Sequence, residues 1–179
     1  METATHILLT ELRQHKPTAC QQLLTQYGPM VFRTVQRIVQ RCEDAEEVYQ
    51  DVFIKALRGI DSYDSGQASL STWLGRIAYN ESLNFIRRQK ANIIYMDESE
   101  LGTDQLEEPD EAPKDEETIQ QLERALALLP PHEQAVISMF YYDEMSLADI
   151  AYVTGSIPST IGSQLSRIRK KLYRLIKPL

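Results

Sequence analysis

Residues 146–172, SLADIAYVTGSIPSTIGSQLSRIRKKL, decide the fold of the C-terminal part of this chain. Ala151, Gly155 and Ile161 have the spacing of a helix-turn-helix. The alanine is small where two helices touch, the glycine is free to adopt a positive φ in a tight turn, and the isoleucine anchors the second helix. The segment therefore predicts two short helices joined by a turn, the arrangement with which many proteins bind duplex DNA.

The second of these helices has one apolar stripe and one polar face. Four apolar residues recur with helical spacing from Ile161 to Leu172, which turns the opposite face outward. That face carries hydroxyl, amide and cationic groups, which bind phosphates and base edges. We expect seven residues to contact DNA: Ser159, Thr160, Ser163, Gln164, Arg167, Lys170 and Lys171. Two ordinary packed helices with a hydrated face are the alternative, which the basic extension disfavours.

Charge is distributed unevenly along the 179 residues, whose net charge is −7. Residues 150–179 hold six basic side chains and no acidic ones, whereas residues 91–149 hold sixteen acidic and two basic ones. Residues 1–90 are nearly balanced, with eleven basic and ten acidic side chains. The net charge alone would argue against a nucleic-acid partner, but this distribution indicates a basic C-terminal unit beside an acidic connecting segment.

The hydrophobic content of 42% is ordinary for a protein that buries a core, and no apolar run has membrane-spanning length. The N-terminal residues form a charged amphipathic pattern unlike a signal peptide, which predicts a cytoplasmic protein. Cys20 and Cys42 form no CxxC pair and have no nearby histidine, so zinc and a disulfide framework both lack support. We expect no metal and no cofactor.

Helical periodicity runs through the first ninety residues and returns after an acidic, proline-containing stretch. It predicts one helix over residues 5–14, a second up to Arg41, a third over residues 43–58 capped by Asp44, and a fourth capped by Ser71 or Thr72. No strand alternation is visible. The sequence predicts an all-α fold of two helical domains: 1–91, a flexible acidic linker over 92–115, and 116–179 with the helix-turn-helix.

One predicted helix of the first domain carries an acidic face formed by Asp44, Glu47, Gln50 and Asp51. Glu47 and Asp51 are like charges four residues apart, which destabilises an isolated helix, and Lys55 relieves the repulsion only in part. One interpretation is a partner that supplies the missing cation. A solvated acidic face is the alternative, and a metal site is the least favoured interpretation because no histidine completes a cage.

The helix that follows combines cations, amides and aromatic rings, a mixture typical of single-strand binding. Its members are Trp73, Arg76, Tyr79, Asn80, Asn84, Arg87 and Arg88. We expect Trp73 and Phe85 to lie in the core and the polar members to be exposed. The loop at residues 62–69, rich in small hydroxyl and amide groups, is a candidate pocket for a flipped base.

Three motifs in this order resemble the extracytoplasmic-function sigma factors: DAEEVYQDVFIKAL at 44–57, STWLGRIAYNESLNFIRRQK at 71–90, and LPPHEQAVISMFYYDEMSLADIA at 129–151 with the recognition helix behind it. The resemblance implies a non-enzymatic alternative sigma factor that binds core RNA polymerase through the largest-subunit clamp helices and the flap. It implies that the second motif captures the melted minus-10 strand. That role would fall to Tyr63, Asn80, Asn84, Arg87 and Arg88, with the C-terminal domain reading minus-35 DNA.

The same resemblance implies an acidic linker directed toward the RNA exit path and, for many members, an anti-sigma partner. This chain departs from the family at Gly162 and Gln164, where basic residues are common, and at Ser156 and Ile157, which invert the usual order. These departures bear on base preference and minus-35 affinity. The alternative function is a helix-turn-helix regulator with an N-terminal sensing or dimerisation domain; a metal-dependent nuclease comes third.

Overall fold

The computed structural model describes residues 2–96 and 114–176, and the side chains of residues 5–89 and 119–176. The described residues are helical apart from turns and short connections, and they contain no strand, which confirms the all-α prediction. In chain order the helices are α1 (Glu2–Arg13), α2 (Pro17–Gln36), α3 (Cys42–Gly59), α4 (Leu70–Met96), α5 (Lys114–Ala127), α6 (Pro131–Tyr141), α7 (Leu147–Thr154) and α8 (Pro158–Ile176), with one 3-10 turn at Ile60–Ser62.

Several helix bounds differ from those expected. Helix α2 ends at Gln36 rather than near Arg41, because the chain tightens into a turn in which the Ile38 amide bonds to the Val35 carbonyl, three residues back. Helix α4 continues to Met96, past the residue at which the linker was expected to begin, and α5 already begins at Lys114. Most of the predicted acidic linker, residues 97–113, lies outside the described residues.

The first core lies among α1, α2, α3 and α4. Its largest fully buried side chains include Leu12, Leu23 and Leu74, and the apolar stripe of each helix faces it. Gly28 lets α2 approach α3 closely, since a Cβ at this position would lie 2.7 Å from the Tyr49 hydroxyl oxygen. The predicted stripes of the first domain therefore form a single core, and α2 remains one helix through Gly28 and Pro29.

Two predicted helix caps were wrong. Ser69, not Ser71 or Thr72, caps α4, because its Oγ accepts a hydrogen bond from the Thr72 amide at 3.1 Å. Asp44 lies inside the first turn of α3, whose N-cap position is Arg41. The Asp44 carboxylate instead accepts a hydrogen bond of 3.0 Å from Gln89 on α4. Sequence reasoning missed that partner because it lies 45 residues away.

The second core gathers α5, α6, α7 and α8 around Ile150, Ile161 and Ile168, all nearly inaccessible to solvent. Two residues of the N-terminal part, Ile38 and Tyr79, belong to this core. Helix α4 therefore packs on both sides: one face covers the first core and a neighbouring face contacts α7. The two helical units are thus in direct contact in this structure. Within the described ranges no helix is long and apolar enough to cross a membrane.

Candidate polymerase and nucleic-acid interfaces

The acidic face of α3, formed by Asp44, Glu47, Gln50 and Asp51, points away from the first core. Glu47 and Gln50 are exposed and Asp51 is half-exposed. Lys55 was expected to offset part of the repulsion between Asp51 and Glu47. Its ammonium group instead bonds to the buried Glu81 carboxylate on α4, at 2.6 Å. Among the ion pairs of the described residues, none involves Glu47 or Asp51. The repulsion between these two carboxylates is therefore left for a partner to relieve.

An apolar residue on this surface was missed by sequence reasoning. Ile54 follows Glu47 and Asp51 on the same side of α3, at seven and three residues, and 47% of it is exposed. In an interface, such an isoleucine would add an apolar contact beside the polar ones. Its position beside the polar group could have been read from the helical phase alone.

Four predicted strand-binding residues share one face of α4. Asn80, Asn84, Arg87 and Arg88 lie at i, i+4, i+7 and i+8, and all four are exposed. We call this group the strand face. It lies between the part of α4 that covers the first core and the part that contacts α7. Amide groups and two guanidinium groups are thus displayed together on a single rigid helix.

Tyr63, the fifth residue assigned to the minus-10 strand, is only 6% exposed. Its hydroxyl donates to the Ala68 carbonyl at 3.0 Å, and its ring lies 5.3 Å from that of Trp73. Burial raises the pKa of the Tyr63 phenol, so it stays protonated and can keep donating. Tyr63 thus stabilises the conformation of the loop. Trp73, which was expected in the core, packs against the first core but is only half-buried.

The loop before α4 has a defined conformation. Asp64 accepts hydrogen bonds from the Gly66 amide at 2.9 Å and from the Gln67 side chain at 3.2 Å, which closes a turn. A groove of about 670 Å³ lies beside this loop, and its walls include Tyr63 and Ser65. Helices α1 and α2 supply the opposite wall, which the sequence did not suggest.

The helix-turn-helix follows the predicted geometry closely. Ser146 caps α7 by accepting from the Asp149 amide at 3.1 Å, and Gly155 ends the helix with a φ of 69°, in the left-handed region. The Ser156 amide bonds back to the Ala151 carbonyl at 2.8 Å and completes the turn. The expected stripe from Ile161 to Leu172 is buried. These contacts fix the direction in which α8 leaves the turn.

The predicted DNA-binding residues of α8 lie on its outward side and form what we call the recognition face. Six of the seven are exposed and Gln164 is half-exposed. Lys171 differs from the others because its ammonium bonds to the Glu133 carboxylate of α6 at 3.0 Å. The remaining cations, Arg167 and Lys170, have no salt bridge to the described carboxylates. Gly162 lies between these groups with room for a side chain, since an added Cβ would meet only Leu147, at 3.9 Å.

Models of known protein families match both helical units of this chain. Sigma-70 region 2 matches residues 23–92, and Sigma-70 region 4 matches residues 119–172. The ECF RNA polymerase sigma-E factor of Haemophilus influenzae is 30% identical over 183 residues, covering 96% of this chain and 95% of that protein. This chain belongs to the ECF sigma factor family.

Two further sigma factors are similar to this chain. ECF RNA polymerase sigma factor SigM of Mycobacterium tuberculosis is 31% identical over 163 residues, covering 88% of this chain and 77% of that protein. The solved structure of the sigma factor RpoE from Bartonella quintana, in complex with the anti-sigma factor NepR, has a TM-score of 0.67 and 25% identity, covering 88% of this chain and 96% of that one. As an ECF sigma factor, the protein directs RNA polymerase to promoters.

Proposed function

We propose that this sigma factor binds its targets through three separate surfaces. The acidic face of α3 binds core polymerase, the strand face of α4 holds the melted minus-10 strand, and the recognition face of α8 reads minus-35 DNA. The observation that carries this proposal is the uncompensated pair Glu47 and Asp51, because Lys55 is committed to Glu81. Coulomb repulsion between exposed carboxylates is relieved when a basic partner docks against them.

On this acidic face the residues have different tasks. Glu47, Gln50 and Asp51 contact the polymerase, and Ile54 adds an apolar contact at the C-terminal end of the face. Asp44 lies at the N-terminal end of the face, where its bond to Gln89 also holds α3 against α4. The polymerase-binding helix and the strand-binding helix are therefore joined at two places, the second being the Lys55 and Glu81 pair.

Charge reversal tests the polymerase contact. We expect Asp51→Lys to weaken binding to core polymerase at least tenfold, and Glu47→Lys with Asp51→Lys to weaken it further. Asp61→Lys is the matched control, because it makes the same charge change at an exposed position outside α3. Affinity is measured by fluorescence titration with labelled sigma factor, and circular dichroism checks helicity. A folded double variant that binds as tightly as the unmodified protein would contradict the assignment.

The strand face and its loop hold single-stranded DNA by complementary means. Guanidinium groups of Arg87 and Arg88 neutralise phosphates, while the amides of Asn80 and Asn84 bond to base edges. The loop ordered by Tyr63 and Asp64 gives an unstacked base a wall to lie against. Preorganisation of this kind lowers the ordering cost of binding.

The recognition face lies in the major groove of the minus-35 duplex. Arg167, Lys170 and Lys171 bind mainly phosphates, and Ser159, Thr160, Ser163 and Gln164 lie nearer to base edges. Because Gly162 adds no cation, the isolated domain binds duplex weakly, and occupancy arises when polymerase tethers both domains to one promoter.

The partners of relatives suggest how the protein is regulated and where it acts. RpoE of Bartonella quintana was solved in complex with the anti-sigma factor NepR. We propose that this chain also binds an anti-sigma factor. We propose further that it acts in the cytoplasm, where polymerase is located, and that it catalyses no reaction itself. Co-elution with core polymerase and promoter-dependent initiation separate this function from a helix-turn-helix regulator, which would bind DNA without polymerase.

A further inference from the structure

The residue that immediately precedes α8 is an exposed isoleucine. Ile157 lies at the N-cap position, and its carbonyl accepts a hydrogen bond of 3.2 Å from the Ile161 amide in the first turn. It is 60% exposed and is part of neither apolar core. It adjoins Ser159 and Thr160, two residues of the recognition face. An apolar side chain is thus displayed at the point where the polar face of α8 begins.

Isoleucine is among the least favourable residues at an N-cap. N-caps favour serine, threonine, asparagine and aspartate, whose side chains accept a hydrogen bond from an amide of the first turn. Helix α7 follows this rule, because Ser146 accepts from the Asp149 amide at 3.1 Å. Ile157 offers no such acceptor and also leaves an apolar side chain in water. A residue that opposes local stability without a packing role is typical of a functional site.

The start of α8 is also poorly suited to binding a phosphate. Helix N-termini bind phosphates through their free amide groups, and Pro158, the first residue of α8, has no amide hydrogen. The branched side chain of Ile157 stands directly before it. This end of the helix therefore fits an apolar group on the DNA better than a phosphate oxygen.

The backbone around Ile157 is fixed on both sides. The Ser156 amide bonds to the Ala151 carbonyl at 2.8 Å, and Gly155 holds the turn in the left-handed region. Pro158 restricts the residue before it to extended conformations. A β-branched side chain has few rotamers, so Ile157 loses little conformational freedom when it makes a contact. Its side chain is therefore presented rigidly.

Ile157 lies on the same side of α8 as two residues that we expect near base edges. Thr160 and Gln164 follow it at three and seven residues, which is the spacing of one helix face. In a helix-turn-helix, residues at the N-terminal end of the recognition helix contact base edges in the major groove. The proposed placement of α8 in that groove therefore brings Ile157 to a base edge as well.

We propose that Ile157 reads one thymine of the minus-35 element by contacting the methyl group of that base. The inference rests on the proposed duplex-reading function of α8. Thymine is the base whose major-groove edge carries a methyl group, and apolar side chains contact it there. At another base the isoleucine would cover polar atoms and remove their water without replacing its hydrogen bonds, which costs free energy. The contact therefore selects thymine at one position, beside the hydroxyl and amide contacts of the recognition face.

Two duplex libraries that differ only in the thymine methyl group test the contact. Both consist of 20-base-pair duplexes with a randomised centre; one contains thymidine and the other deoxyuridine. The full chain binds each library at about 50 mM salt, where phosphate contacts are strong, and the bound and unbound fractions are sequenced. We expect thymine to be enriched at one position. In the deoxyuridine library this enrichment should fall about fourfold, as expected when one methyl group is no longer withdrawn from water.

Substitutions at Ile157 link the preference to this side chain. We expect Ile157→Ala to abolish the difference between thymine and uracil at that position and to change preferences elsewhere less than twofold, while Ile157→Val keeps most of the difference. Ile119→Ala is the matched control, because this isoleucine of the same unit is 57% exposed. Ile157→Ser should unfold at a higher urea concentration than the unmodified chain, since serine is favoured at N-caps. Loss of selectivity with gain of stability distinguishes a DNA contact from a packing role.

The outcomes separate this inference from the function on which it rests. Equal preferences in the two libraries, or an unchanged thymine preference in Ile157→Ala, would overturn the methyl contact while leaving duplex reading by α8 intact. Lower stability of Ile157→Ser would also contradict it, because the isoleucine would then serve packing. If neither library yields an enriched sequence, the proposal that α8 reads duplex DNA fails, and the methyl contact fails with it.

Discussion

Helices α4 and α8 both present polar faces suited to DNA, but the surroundings of the two faces differ. The recognition face of α8 lies open on a helix whose position is fixed by its neighbours in the turn, through Ser146 and Gly155. The strand face of α4 borders a contact with the other unit, and its neighbours Arg76 and Tyr79 are already engaged. The recognition face therefore depends only on the placement of its own helix, whereas the strand face lies beside the contact between the two units.

Removing the anchor of the helix-turn-helix gives the largest expected effect. Ile161→Ala empties a fully buried position in the second core, so the free energy of unfolding should fall by about 2–5 kcal/mol. Duplex binding should be lost with folding. Asn80→Ala, an exposed substitution on α4, should change stability by less than about 0.5 kcal/mol. Urea unfolding followed by circular dichroism measures both, and similar losses would contradict the contrast between the two helices.

Loss of the two strand-face arginines should slow promoter opening about tenfold. Arg87→Ala with Arg88→Ala removes two phosphate contacts from the melted strand but leaves α3 and α8 unchanged. Permanganate footprinting of the bubble measures opening, and fluorescence titration checks that core binding is intact. A pre-melted template serves as control, because weaker retention of that template assigns the defect to strand capture. Normal opening on both templates would refute the role of the strand face.

Filling the gap at Gly162 should stabilise α8. Gly162→Ala has room for its Cβ and should raise the free energy of unfolding by up to about 1 kcal/mol, because alanine is the better helix former. Gly162→Lys should add tighter duplex binding to this gain, and the alanine variant isolates the part that stability contributes. Titration of minus-35 and scrambled duplexes with both variants measures the difference. Equal affinities would place residue 162 away from DNA.

The smallest expected effect separates free from paired cations on the recognition face. Arg167→Ala should reduce the magnitude of the salt slope of duplex binding by about 1, as expected for one phosphate contact. Lys171→Ala should reduce it less, because Lys171 must first leave Glu133. Glu133→Gln should then raise affinity by releasing Lys171. Titration at several salt concentrations gives the slopes; equal slopes for the two cation variants would show that Glu133 does not restrain Lys171.

The sequence predicted best those features that depend on near neighbours. The all-α fold, the turn at Gly155 and the buried stripe of α8 follow from residues within one or two helical turns, and all were confirmed. The exposure of Asn80 and Arg87 followed from helical phase in the same way.

The features that sequence reasoning missed join residues far apart in the chain. Lys55 was assigned to Asp51, its neighbour on α3, but it bonds to Glu81 on α4, 26 residues away. Tyr79 was grouped with the strand-binding side chains of α4 yet belongs to the second core, and Arg37 pairs with Asp143 across the two units. Periodicity within one helix carries no information about which other helix covers it.

Transcription from genomic DNA is the most direct test that these surfaces act together at promoters. Core polymerase is incubated with the host genome, with and without this sigma factor, and the 5′ ends of the transcripts are sequenced. We predict new start sites that share two upstream elements near minus-35 and minus-10, and their loss with Glu47→Lys and Asp51→Lys. A set of start sites identical to that of core polymerase alone would contradict the account.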